Sequence, residues 1–145
     1  MSGVYVCAGE YRDIGVTVGP HVPPEWQYVP GLVEQFCEKF AELWAEPGDD
    51  VDESDLAALA LWRLNWIHPY GGGNGRTSRA AAYLVIQARL GFQLPGERPF
   101  PELLVERRDE MIAALREADQ IGGLTIETVV DLGNLVNEVL EEQLS

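Results

Sequence analysis

A chain of 145 residues is about the size of one domain, and its 46% hydrophobic and 9% aromatic residues suffice for a sizeable core, which excludes a disordered chain. Its 24 acidic and 10 basic side chains give a formal charge of -14. Such a field repels phosphate-rich partners, so non-specific nucleic-acid binding and attachment to an anionic membrane surface are excluded, and only a small local basic pocket remains open.

In chain order, Val4-Tyr5-Val6-Cys7 and Ile14-Gly15-Val16-Thr17-Val18 are β-branched and aromatic, parted by Gly9 and Asp13 and closed by Gly19-Pro20, a pattern that predicts a short hairpin. Pro23-Pro24 ends it in extended chain. From Pro30 the period changes. Leu32, Val33, Phe36, Phe40, Leu43 and Trp44 recur at helical spacing, and Pro47-Gly48 stops the helix. Asp49 to Asp55 reads as a solvated acidic loop, lacking the glycine and ligand spacing of a calcium loop, with Ser54 or Asp55 as the next cap. The helix from Leu56 to about Ile67 is apolar nearly all round, so it is expected at the centre. It stops at His68-Pro69 because the residue before a proline leaves the helical region. Further helices are predicted from about Arg76 to Leu90, Pro101 to Ala118 and Ile126 to Leu144. No internal repeat and no dividing linker is present. The expectation is one all-α domain over residues 1–145 with a short N-terminal β-hairpin.

Cys7 and Cys37, far apart, make neither a metal-ligand pair nor a disulfide framework and are expected as small core residues. Trp26, Trp44, Trp62 and Trp66 are expected in the core or an interface, and His21 on the surface. No stretch reaches the roughly 18 to 20 apolar residues of a membrane span, and no signal peptide opens the chain. A cytoplasmic compartment is expected, with delivery into a host cell as an effector the other possibility.

The informative segment is the loop at 68–79, His68-Pro69-Tyr70-Gly71-Gly72-Gly73-Asn74-Gly75-Arg76-Thr77-Ser78-Arg79. Its glycines let backbone amides approach a ligand, and the free N–H groups and dipole of the following helix favour an anion. Arg76 and Arg79 share one side of that helix, and their forks match phosphate oxygens. His68, a base in the physiological range, ends the preceding helix. Each feature alone is weak; their order and spacing carry the signal.

That run resembles the signature of the Fic family: His-Pro-Phe, any residue, Asp or Glu, Gly-Asn-Gly-Arg, two residues, Arg. His68, Pro69, Gly73, Asn74, Gly75, Arg76 and Arg79 match as they stand, and Tyr70 replaces Phe. Gly9 to Pro24 is similar to the family's hairpin, the flap (about 4–24), and Pro101 to Asp119, including Arg107, to the helix after the catalytic one. The resemblance implies a Fic-like helical bundle acting as a protein nucleotidyltransferase, an AMPylating enzyme with ATP as donor and a Ser, Thr or Tyr hydroxyl of a target protein as acceptor. It implies that His68 deprotonates the hydroxyl, that Gly73, Asn74 and Gly75 form the anion hole, that Arg76 holds the β-phosphate and Arg79 the γ-phosphate. The flap residues Val16, Thr17 and Val18 would pair with an extended target segment.

Two departures stand out. The acidic position, which holds magnesium in the family, is Gly72, so Mg2+ binding is expected to be weakened. Three readings follow: metal held another way, a donor that needs none, or nucleotide binding without turnover. The alternatives to AMP transfer are therefore a non-catalytic binding domain or transfer of another phosphate-containing group. Secondly, the family's inhibitory helix carries Ser or Thr with Glu four positions on, and no Ser or Thr here has one: Thr125 meets Val129 and Thr128 meets Leu132. A separate antitoxin-like partner, a flanking region of a larger protein, or the absence of such restraint would account for that.

Overall fold

The structure, a computed structural model, describes residues 9–46 and 50–145. Helix α2 (Glu53–Ile67) has apolar side chains on nearly every side, and it lies at the centre with Leu56, Leu59, Leu61, Trp62 and Ile67 sealed from water. Burying such side chains stabilises the fold by roughly 1.5–3 kcal/mol each. Helices α1 (Val29–Trp44), α3 (Asn74–Leu90), α5 (Arg108–Ile121) and α6 (Val130–Leu144) all pack on it, α3 most extensively, while the short α4 (Phe100–Glu106) joins α3 to α6.

The predicted helices at 30–44, 56–67 and 76–90 are present as α1, α2 and α3. Pro30 sits in the first turn of α1, where its missing N–H costs no hydrogen bond. Along α1, Phe36, Phe40 and Trp44 stack in succession at ring separations of 5.6 and 6.0 Å. Cys37 lies off that stripe and is exposed, contrary to the expectation of a core thiol. Trp62 is buried as expected, whereas Trp26 is 40% exposed.

The cap of α2 is Asp52 rather than Ser54 or Asp55. Its carboxylate accepts from the Asp55 N–H at 2.9 Å, and the Asp55 carboxylate accepts from the Asp52 N–H at 3.1 Å, a reciprocal capping box. Ser54 is instead buried, facing Asn137 of α6.

The helix predicted from Pro101 to Ala118 is two helices. Leu104, Met111, Leu115 and Ala118 keep helical spacing through the break, so periodicity does not reveal it. Arg107 leaves helical geometry (φ -103°, ψ 35°) with its N–H shared between the Leu103 and Leu104 carbonyls. Its guanidinium binds Glu110 and, at 2.7 Å, Glu138 of α6, so a tertiary contact marks the break. The last predicted helix likewise opens as a 3-10 turn, Ile126–Val129, before α6. Buried Thr128 fixes that turn by donating to the Gly122 carbonyl at 2.7 Å.

No strand is present among the described residues. The first arm of the predicted hairpin, Val4 to Cys7, lies outside them, as do Pro47-Gly48 and Asp49. Of the second arm, Ile14 to Val18, only Val18 pairs among the described residues, exchanging both backbone hydrogen bonds with His21 (2.9 and 3.0 Å) around Gly19-Pro20. No helix of the described residues is long and apolar enough to cross a membrane.

Replacing Asp52 by Ala removes one half of the capping box and should lower folding stability by about 1 kcal/mol. Urea denaturation reads this directly, and an unmoved midpoint would mean that the box does not stabilise α2.

Candidate functional site

Pro69 ends α2 and Gly73 opens α3, and the turn between them is closed by the side chain of Asn74. Gly73 adopts φ 75°, ψ 13°, a left-handed conformation that glycine takes without strain. Asn74, buried, accepts from the Tyr70 N–H at 2.9 Å and donates to the Tyr70 carbonyl at 2.8 Å. Behind the turn, buried Ser78 donates to the Gly75 carbonyl and accepts from Asn65 at 2.8 Å, tying α3 to α2. Nothing caps the N-terminus of α3 from a side chain. Its first N–H groups, among them those of Asn74 and Gly75, have no partner inside the helix and carry its positive end. The Asn74 side chain is thus committed to the loop, and only its backbone is free to meet an anion.

Arg76 and Arg79 stand at this terminus. Arg79 folds back over Gly75, where a Cβ would come within 3.1 Å of Nη1. Partial burial holds its guanidinium below the usual arginine range, and the charges of Arg108 and Arg76 push the same way. Arg108, from the start of α5, is a third positive charge at the site that sequence reasoning missed, because only the tertiary fold brings it there.

His68 closes the other side. It is the C-cap of α2 and the one non-glycine residue at positive φ (52°) among the described residues, with its N–H bonded to the Leu64 carbonyl at 2.9 Å. Nδ1 is sealed from solvent and makes no hydrogen bond of good geometry among the described residues. Burial lowers the imidazole pKa below its ordinary value. The nearby Asn65 carbonyl opposes that shift, and the charges of Arg12, His21 and Arg116 reinforce it. A neutral imidazole at neutral pH can accept a proton, and with Nδ1 sealed the accepting atom is Nε2.

The segment before α1 packs against this end of α2 and the loop beyond it. Tyr11 stacks on Tyr70 with centroids 6.0 Å apart. Arg12 is buried, and His21, expected on the surface, has a side chain only 8% exposed. Its Nε2 meets the Trp66 carbonyl at 3.0 Å, and Nδ1 faces Asp119 at 3.7 Å. No sequence spacing announces either contact, since both join residues more than 40 positions apart. Of the three predicted flap residues, Val18 spends its N–H and C=O on His21. Val16 and Thr17 make no backbone hydrogen bond with described residues.

Gly72 brings no carboxylate, and no group of three or more His, Cys, Asp or Glu among the described residues is arranged to hold a metal ion. The magnesium site that the family implies does not fit the residues present. Gly72 also lies outside the positive-φ region that Gly73 occupies, so its backbone does not demand glycine.

The Fic/DOC family profile matches residues 1–86. Protein adenylyltransferase Fic of Drosophila grimshawi is 42% identical over 73 residues, 49% of this chain and 14% of that protein. The same-named protein of Drosophila melanogaster is 41% identical over 73 residues, with the same shares. The chain thus spans a small part of the length of these curated relatives. Among solved structures, a Fic domain containing signaling protein from Bacteroides thetaiotaomicron aligns with a TM-score of 0.71 at 22% identity, over 94% of this chain and 53% of that one. A Fic family protein from Desulfovibrio desulfuricans gives 0.64 at 22% identity, over 92% and 40%. At that identity the likeness shows the fold alone.

Burial of His68 makes a titration prediction. Its imidazole should titrate below the ordinary value of about 6.5, as followed by NMR of the ring protons. Because the folded state then binds the proton more weakly than the unfolded state, its stabilising contribution is complete above about pH 6.5 and declines as pH falls towards the folded value. A midpoint at or above 6.5 would contradict the burial argument.

Proposed function

The chain belongs to the Fic/DOC family, and from that membership we propose that it is a protein nucleotidyltransferase, moving AMP from ATP to a Ser, Thr or Tyr hydroxyl of a target protein. One observation carries the reading: His68, its imidazole pKa lowered by burial, ends α2 on one side of the loop, and the uncapped start of α3, with Arg76 and Arg79 in its first two turns, lies on the other.

The chemistry needs little more than that arrangement. The target hydroxyl gives its proton to His68 as its oxygen attacks the α-phosphorus. The new P–O ester bond forms, the bond from the α-phosphorus to the bridging oxygen breaks, and pyrophosphate leaves with that electron pair. Charge that builds on the phosphoryl oxygens meets the backbone amides of Asn74 and Gly75, placed there before reaction. Arg76 and Arg79 hold the β- and γ-phosphates and orient the leaving group in line. The target enters as an extended strand along Val16 and Thr17, whose backbone groups make no hydrogen bond with described residues, which sets the hydroxyl against the imidazole. Proton and charge are both handled by groups of this chain, which supports turnover despite Gly72. A second reading, a nucleotide-binding module without turnover, is favoured by Gly72.

Incubation with ATP labelled at the α- or the γ-phosphate, in a cell lysate, separates these readings. Label on protein from the α position alone is the expected result. Label from γ would mean phosphoryl transfer, and ATP binding with no label from either would favour the silent module. Substituting His68→Ala should lower the transfer rate by about 10²- to 10⁴-fold while ATP still binds; undiminished labelling would remove His68 from the chemistry. Gly72→Asp should raise magnesium-dependent transfer. No change in that variant would show that the missing carboxylate is not what limits the enzyme.

A further inference from the structure

A helix leaves its last carbonyls without intrahelical partners, and they carry its negative end. In α2 those carbonyls are taken by a segment that precedes α1. The Trp66 carbonyl meets His21 Nε2 at 3.0 Å, and the Pro69 carbonyl accepts from the Arg12 backbone N–H at 2.8 Å. Between them, the Arg12 guanidinium donates Nη2 to the Ile67 carbonyl at 3.2 Å and Nε to the His68 carbonyl at 2.7 Å. Its other contacts run to the Ile14 carbonyl at 2.9 Å and the Pro24 carbonyl at 2.5 Å. Arg12 is 5% exposed, and its guanidinium bonds to four main-chain carbonyls with no carboxylate partner among the described residues.

Two of these four carbonyls, those of Ile67 and His68, belong to the two peptide planes that bracket the His68 Cα. Those planes define φ and ψ of His68, and therefore the direction of its Cα–Cβ bond, from which the ring projects. At φ 52° this conformation is unfavourable for a residue with a side chain, and it persists only where the surroundings over-determine it. The same guanidinium reaches Ile14 and Pro24, at either end of the stretch that contains Val16 and Thr17.

We propose that Arg12 is a positioning residue for His68: one guanidinium holds both peptide planes that aim the imidazole and ties them to the segment from Ile14 to Pro24. The proposal rests on the reading of His68 as the base, but its geometry is testable without activity. The charged and titratable groups that face His68 are Arg12, His21 and Arg116, with Asp119 behind His21 and Arg116.

The test compares the full chain with Arg12→Gln and Arg12→Lys by three measurements: ATP affinity by calorimetry, kcat and KM with α-labelled ATP, and NMR of His68. In Arg12→Gln, kcat should fall on the order of 10²-fold, as a misplacement of about 1 Å would cause, with ATP affinity within about twofold. The His68 Cα shift should leave its left-handed value, and the ring should titrate at higher pH once a neighbouring positive charge is gone. Arg12→Lys keeps the charge but offers a single ammonium in place of the fork, so its ring should titrate as in the parent while kcat stays low. An unmoved His68 Cα shift in Arg12→Gln, or parental kcat in both variants, would overturn the proposal. A loss of kcat matched by loss of ATP binding would also overturn it, assigning Arg12 to general folding. If Arg12→Gln does not fold, Arg12→Lys decides through its kcat and its His68 Cα shift. If the parent itself shows no transfer, the assigned function fails, and the His68 Cα shift alone then decides the positioning role.

Discussion

Helix α2 has no side that can be left to water, and the rest of the chain is arranged around that constraint. Four helices are needed to cover it, and α3, which follows it, supplies the largest share. A buried helix also cannot leave its terminal backbone groups to solvent. The acidic loop before it supplies the reciprocal box of Asp52 and Asp55 at one end. At the other, the carbonyls of residues 66–69 are met by Arg12 and His21, from far earlier in the chain. The candidate site lies at this second end, where the segment that covers the end of the helix also borders the loop beyond it.

The start of α3 is built on the opposite principle. Asn74 is a residue type that commonly satisfies the amides of a helix start, yet its side chain turns back onto Tyr70. The loop gains rigidity and the helix start keeps its unmet amides. Arg76, Arg79 and Arg108 gather there in a chain whose formal charge is -14. The local field at the start of α3 is therefore opposite in sign to that of the chain as a whole.

What could be read from the residues alone follows from range. Apolar spacing located α1, α2 and α3, and Pro69 with the glycine run located the loop, because those signals are local. The break at Arg107 escaped notice because the apolar stripe continues across it, and what marks the break is a bond to Glu138 on another helix. The His21 side chain is buried and Cys37 exposed, the reverse of what their residue types suggest, because burial depends on what packs above. The same contrast runs through the comparisons: the family profile ends at residue 86, while the structural likeness extends over 94% of the chain. The later helices need only apolar residues of about the right size at the right spacing, which many sequences supply.

The contacts of Arg12 and His21 with α2 are all to main-chain oxygens. Such a joint is specified from one side only. Side chains at 66, 67 and 69 can drift without altering what the flap recognises, provided the helix still ends at the same residue. A flap exchanged between two proteins that share this helix ending would find the same carbonyls waiting, whatever sequence displayed them. The segment from Arg12 to Pro24 and the loop from His68 to Arg79 are therefore free to change separately while the seam between them holds.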